Sequence, residues 1–481
     1  MKSKIAYACL LSVALSCGVS TLSAQALRKA PPAPPTDTQL ELGKIQSVGE
    51  LMNRADTWRE SNDLRRYTYA LERLVQLRPY SPQFQYMLAA AYGMQDQKTN
   101  AYNQLIRIQK QGLDMNPVKD KDFDPVRTTP AFKYIVEGIE VNSTPWGEGK
   151  VALTLKDAPE MVESLAYDAK TKRFMVGSVR TGEIFAVNDQ GAMELFASPS
   201  TVPMLKSVFA LAVDESRGHL WVGTGSVPPF VGFKQPEFGP AALLKFDIAK
   251  KQLLETYPIA TDGIARGIGA IAVGANGDVY ATDAVANMVY RAAKGKLQPL
   301  FNVPIATSLR GIAVSPDQKY LYFTDYELGL RVADLENAQV HDLLLENQNL
   351  GAIDGLYFYK DNLIAVQNGT RPTRILRIKI GKDSKSIDSV QPIEANKAAL
   401  LMPTFGALSG SDLYVIANSQ RDQYGADGKP VAGETALPRQ IYKVSAQFAW
   451  STDLKGGTTA PAPATSPMPK HSAPGPTVKP N

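Results

Sequence analysis

The chain has 481 residues, of which 44% are hydrophobic and 21% charged. That is the composition of a soluble globular protein, and the length suggests two or three domains or one large repeat domain. The net charge of +5 is thinly spread and partly terminal, at Lys2, Lys4, Lys455, Lys470 and Lys479, so it leaves no footprint for nucleic acid.

Residues 1–26 read as a secretory signal. Lys2 and Lys4 precede an apolar run over 5–14 that is too short to span a bilayer, and Ala24-Gln25-Ala26 offers a small-x-small cleavage site. The mature chain is then expected in the periplasm or outside the cell. Both cysteines, Cys9 and Cys17, fall inside this leader, so cleavage removes every thiol and with it any disulfide framework, cysteine nucleophile or thiolate metal site. Cys17 after Leu15-Ser16 keeps a lipidated form open. No other apolar run reaches about 18 residues, so no integral membrane span is expected.

A Pro-rich linker follows over 27–37, and 451–481, rich in Pro, Ala, Thr and Ser, is expected to be a disordered tail. Between 38 and 142 the apolar period is helical. Ala70, Leu74 and Leu77 line one face and are followed by Pro79 and Pro82, which are expected to stop the helix; Leu88, Ala89 and Tyr92, then Ala101, Leu105 and Ile108, repeat the spacing, and a last helix is expected near Pro130 to Ile139. The order of small, large and Pro positions resembles the tetratricopeptide repeat. The step from Ala70 to Ala101 is 31 residues, against the usual 34 or so. A nonspecific helical bundle stays open; either way helix hairpins offer a groove for a protein partner.

Over 146–450 the period changes to two. Six small-apolar strands, anchored at Leu165, Leu211, Ile271, Ile312, Leu356 and Ala407, are each followed by a turn and two further strands, at steps of 46, 60, 41, 44 and 51 residues. A period near 45 with three or four strands per unit predicts a mainly β fold, a six-bladed β-propeller preceded by the small helical repeat domain. A β-sandwich would not keep this order six times. The 60-residue step holds an insertion over 227–239, read as a loop over one face. Ring closure calls for a strand from one end beside strands from the other, so residues 150–155 are expected next to 441–445.

In such a ring the residue just ahead of each first strand points at the axis. Two positions before the anchors stand Glu163, Phe209, Gly269, Arg310, Asp354 and Phe405; at the exits of the second strands stand Ser178, Thr224, Asp283, Asp325, Asn368 and Asn418. Glu163, Arg310, Phe209, Phe405, Asp283 and Asp325 are therefore the candidate ligand-binding set, for a small molecule on the propeller face. His219 and His341 read as structural, in a strand core and in a loop between blades, and no Ser-His-Asp triad can be assembled.

The blades resemble the senescence marker protein, gluconolactonase and luciferin-regenerating (regucalcin-like) family. The resemblance covers about 300 residues. It rests on Glu163 in Val162-Glu163-Ser164-Leu165, on Gly311-Ile312-Ala313-Val314-Ser315-Pro316-Asp317 with Tyr320-Leu321-Tyr322, and on Asp354-Gly355-Leu356. It implies one divalent cation (Ca, Zn or Mn) held on the axis by a Glu, two Asn and an Asp, and lactone hydrolysis there. Glu163 and Asp354 match two of those metal ligands, with Asp354 as the general base. Arg310 and Phe209 stand where the two Asn belong, and Arg310 could take the place of the ion. Two functions stay open: an exported binding module with a diverged central site, or a metal-dependent hydrolase of a sugar lactone or related ester.

Overall fold

The computed structural model describes residues 35–234, 241–260, 263–425, 429–431 and 437–447. The leader, residues 27–34 of the linker and the tail lie outside them. Six helices come first: α1 (Asp37–Gly43), α2 (Val48–Glu60), α3 (Leu64–Leu77), α4 (Pro82–Met94), α5 (Lys98–Lys110) and α6 (Pro130–Val141). Their starts are set by side-chain caps. Thr36 forms a capping box with Gln39, and Ser47, Asp63, Ser81 and Thr129 each accept a backbone N–H of the first turn. Pro79 follows the end of α3, but Pro82 does not stop a helix: it opens α4 at a position where its missing N–H costs nothing. α3 buries Tyr67, Ala70, Leu71, Leu74 and Val75 against Leu51, Ala55, Leu88 and Ala91 of its neighbours, and Ala89, Leu105, Ile108, Phe132 and Ile139 make a second core.

Then the chain builds six four-stranded antiparallel sheets. Blades one to five run in simple order outward from the axis, beginning with Val162–Asp168, Ser207–Asp214, Ile268–Val273, Leu309–Val314 and Ile353–Tyr359. Blade six is composite. Gly406–Ser409, Asp412–Ile416 and Gln440–Ser445 supply its inner three strands, and Lys150–Thr154, from the other end of the domain, is its outermost strand. Lys150 pairs with Lys443 and Thr154 with Gln440. That pairing covers the open edges a linear row of blades would leave.

Burial follows from position in the blade. Inner and second strands lie between neighbouring sheets and are buried on both faces, as in Asn362–Gln367, whereas the outermost strands Lys150–Thr154 and Gln252–Ile259 alternate with exposed residues. His219 starts the second strand of blade two, and His341 sits not in a loop but in the short outer strand Val340–Asp342 of blade four. The described part of the insertion, residues 227–234, lies between the second and third strands of blade two and folds back over blade one: the Val231 N–H donates to the Arg180 carbonyl at 2.9 Å, and the Phe230 ring is buried under Lys206. No helix among the described residues is long and apolar enough to cross a membrane.

Candidate functional site

Each inner strand of blades one to five has a register shift at its entry. It falls between Val162 and Ser164, Val208 and Ala210, Ile268 and Ala270, Leu309 and Ile312, and Ile353 and Gly355. The residues stepped over include Glu163, Phe209, Gly269, Arg310 and Asp354. A bulge leaves its extra residue out of the ladder and re-aims its side chain, which is how a regular sheet delivers these groups to the axis. Hydroxyls of one blade stitch the same level to the next. Thr282 donates to the Arg310 carbonyl at 2.9 Å, Thr324 to that of Ile353 at 3.0 Å, and Thr404 to that of Glu163 at 3.0 Å.

Glu163, Arg310 and Asp354 share one charged cluster. Asp354 is fully buried and Glu163 is 5% exposed. Arg310 Nε stands 3.7 Å from Asp354 Oδ1, and its guanidinium lies over the Tyr326 ring, 5.7 Å from the centroid. Two members of the cluster are absent from the sequence-based set. Arg421, in a short 3-10 turn (Arg421–Gln423) between the last two inner strands of blade six, reaches Asp354 Oδ2 with Nη2 at 2.9 Å. Asn368 donates to the same oxygen at 2.7 Å and to the Pro403 carbonyl at 2.7 Å, and its own Oδ1 accepts the Tyr326 hydroxyl at 3.0 Å.

Burial pushes the Glu163 carboxyl upward; Arg421 and Arg310 pull it back, and Asp354 adds to the rise. Burial likewise disfavours the charged form of Arg421, but Asp354 and Glu163 outweigh it, so this guanidinium is held even more firmly protonated than usual. Above the carboxylates, Arg310 and Arg421 keep 28% and 23% of their side chains exposed. Solvent therefore meets guanidinium groups, with the acids beneath.

The aromatic candidates have different places. Phe209 is half-buried, its ring edge beside Gly267 at the entry of blade three. Phe405 reaches across the axis and packs with Ala270, Leu309 and Ile312 of blades three and four. The strand-exit acids do not join the cluster. Asp283 Oδ1 accepts from the N–H groups of Val285 and Ala286 at 3.0 Å each, with Arg266 Nη1 at 3.5 Å from Oδ2. Asp325 Oδ1 accepts from Thr307 Oγ1 and from the N–H groups of Glu327 and Leu328. Ser178, Thr224 and Asn418 make similar bonds to the backbone of their loops. This exit position thus works as a loop anchor in five blades. Only in blade five, through Asn368, does it face the acid on the axis.

The residues present do not fit the divalent cation that the resemblance implies. A hard cation seeks six to eight oxygens. Here Asp354 Oδ2 is already taken by an arginine and an amide N–H, and among the described residues no three His, Cys, Asp or Glu side chains converge. Below the cluster, the aliphatic residues Leu165, Leu211, Ile271, Ile312, Leu356 and Ala407 line a funnel of about 320 Å³ that opens on the opposite face, and Phe405 borders a void of about 30 Å³ between funnel and cluster.

No protein-family model matches the chain, and no curated protein matches it. Solved structures similar to it include regucalcin, a calcium-binding protein from Agrobacterium tumefaciens, at 15% identity over 62% of this chain and 93% of that one, with a TM-score of 0.42. A luciferin-regenerating enzyme is similar at 14% identity over 63% and 95%, TM-score 0.39. The PQQ-bound aldose sugar dehydrogenase from Streptomyces coelicolor is similar at 14% identity over 63% and 99%, TM-score 0.42. The first two carry names from the family that the sequence resembles.

Proposed function

We propose that this chain is an exported propeller that binds a small, negatively charged molecule at the axial face without a metal ion. The reading rests on the vertical order of the cluster: buried carboxylates below, two partly exposed guanidiniums above, and the buried Nε of Arg310 without a hydrogen-bond acceptor among the described residues. A guanidinium placed over an aromatic ring presents paired N–H groups that match a carboxylate or phosphate. The helical domain supplies the surface for a protein partner. Titration of the purified chain by calorimetry with Ca²⁺, Mn²⁺ and Zn²⁺, and separately with succinate and inorganic phosphate, tests this. Anion binding that is lost in Arg310→Gln, with no stoichiometric cation binding, is expected. Stoichiometric cation binding abolished in Glu163→Gln would overturn the metal-free site.

A second reading, hydrolysis of a lactone or related ester, is favoured by one observation: Asp354 Oδ1 accepts no hydrogen bond among the described residues, with Arg310 Nε 3.7 Å away, and would serve as the base on a water admitted beside it. Turnover of a lactone panel that disappears in Asp354→Asn would establish it. Intact-mass measurement of the exported protein tests the expected start near Leu27.

A further inference from the structure

Besides the more exposed Asp114–Arg371 and Ser143–Asn396 contacts, the helical domain touches the propeller beside this cluster through two attachments centred on buried residues, Tyr80 and Arg374. Tyr80, in the α3–α4 connection, is 9% exposed and packs with Leu330, Leu343, Leu350 and Ile353. Its carbonyl accepts from Asn349 Nδ2 at 3.0 Å, and a Cβ at Gly351 would come within 2.6 Å of its own Cβ. Next to it Arg78 pairs with Glu327. The second attachment is Arg374 of blade five. It donates to the carbonyl of Gln111, the C-cap of α5, at 2.7 Å and to Gln367 Oε1 at 2.8 Å. Burial alone pushes Arg374 down to about 10. The partners it shows are the negative end of a helix and an amide, which compensate a buried cation without an acid. Gly112 makes room for it: its φ is +70°, and a Cβ there would sit 2.6 Å from Nη1.

Both attachments meet on the loop 349–352. Gln367, oriented by Arg374, donates to the carbonyls of Asn349 at 3.0 Å and Gly351 at 2.7 Å. Asn349 in turn holds Tyr80 and, through Oδ1, the Gly351 N–H. Ala352, which ends the loop, has φ +57°, a conformation that a residue with a Cβ keeps only when its surroundings over-determine it. Its N–H donates to the Tyr326 carbonyl at 2.6 Å, and its carbonyl accepts the Asn368 N–H at 3.0 Å. Tyr326 and Asn368 are the residues that lie under Arg310 and hold Asp354.

We infer that the helical domain is a working part of the axial site, with Tyr80 and Arg374 as positioning residues that act through the loop 349–352 and Gln367 on Tyr326 and Asn368. The inference rests on the reading of the Asp354 cluster as the ligand site. A domain attached only for stability would have no reason to clamp, with four buried polar groups, the one loop that sets both the ring under Arg310 and the amide on Asp354.

Hydrogen exchange of the full chain, followed by mass spectrometry and combined with calorimetric titration of succinate, tests it in Arg374→Met, Arg374→Lys, Tyr80→Ala and Tyr80→Phe. In Arg374→Met and Tyr80→Ala the amides of Ala352 and Asn368 should exchange about tenfold faster or more, those of Leu211 and Val222 in blade two should not change, and the Kd for succinate should rise about tenfold. Tyr80→Phe, which keeps the ring and the backbone carbonyl, should restore both readouts. Arg374→Lys, which retains one donor, should lie between and covers the case in which Arg374→Met does not fold. Faster exchange confined to Leu113 and Asp114, or spread evenly over all blades, would overturn the inference, because the contact would then serve docking or global stability alone. If succinate does not bind the parent protein, the ligand reading fails by itself, and the exchange pattern still decides the positioning role.

Discussion

The two ends of the central channel are built by the same six strands and are opposite in character. The lower end is a funnel whose aliphatic wall recurs from blade to blade, with Tyr167, Glu215, Tyr357 and Phe358 also in its lining. The upper end is charged, with its acids beneath two arginines, and its groups change around the ring, only phenylalanine occurring twice: Glu163, Phe209, Gly269, Arg310, Asp354 and, ahead of the last inner strand, Phe405. Recurrence is what the wall of a ring requires, since each inner strand must pass equally close to the axis. Chemistry requires the reverse. Identical charges meeting on an axis would repel, so a site there must be assembled from unlike residues.

Four experiments break or sharpen this contrast. Deleting residues 147–157 removes the closing strand and should undo both ends together. We expect the thermal midpoint of the propeller to fall by about 10 °C or more; a midpoint like that of the parent would mean the ring closes some other way. Arg421→Ala touches the upper end alone. Asp354 and Glu163 are left under-compensated in a buried setting, and breaking such a pair costs about 4 kcal/mol. Urea unfolding reads that loss, and a value within experimental error of the parent would remove Arg421 from the cluster. Phe405→Ala joins the void of about 30 Å³ to the space left by the ring, at a cost of about 3 kcal/mol. Raised binding of an apolar dye at the funnel should accompany it, and a fully stable variant would show that the ring does not separate the two ends.

The smallest effect is a pH slope. Because Glu163 titrates above its unfolded value, the stability linked to its protonated form is complete below the ordinary carboxylate value and is lost as the pH rises through the folded one. Stability measured from about pH 4.5 upward should therefore decline more steeply in the parent than in Glu163→Gln. Parallel curves would show that burial and the two arginines cancel.

The contrast also explains what could be read in the sequence. The blades were legible because period-two strands with turn residues between them recur six times, and Glu163, Arg310 and Asp354 stood out as polar residues at one fixed offset from an apolar anchor. Asp283 and Asp325 shared a fixed offset as well, yet the backbone N–H groups that occupy them have no letter in the sequence. Arg421 had no offset to stand on. It lies in the connection from Ile416 to Gln440, longer than that between the second and third strands of any other blade, the one from Gly225 to Ala241 in blade two included, and is entered through Gln420 in a left-handed turn. Its one sequence signal was the length of that connection, 24 residues from Ile416 to Gln440, which marks a loop with a task beyond joining two strands. Asn368 was noted at its exit position; its distinct role comes from the bulge that turns Asp354 toward it.

The composite sixth blade has a consequence for the order in which the molecule takes shape. Lys150 and Lys443, paired in the outermost ladder, are separated by 443 − 150 = 293 residues of chain. During synthesis the helices can pack as soon as they emerge, and each of blades one to five finds its own four strands close by in sequence. The strand at 150–154 has no partner until Gln440–Ser445 has been made, and it waits as an exposed edge for most of the synthesis of the domain. Joining ends this distant is slow, because the entropy of a long loop must be overcome before the contact stabilises anything. A nascent chain stopped before residue 440 should accordingly carry folded helices and an open, protease-sensitive row of blades, and the cooperative ring should appear only with the last strand.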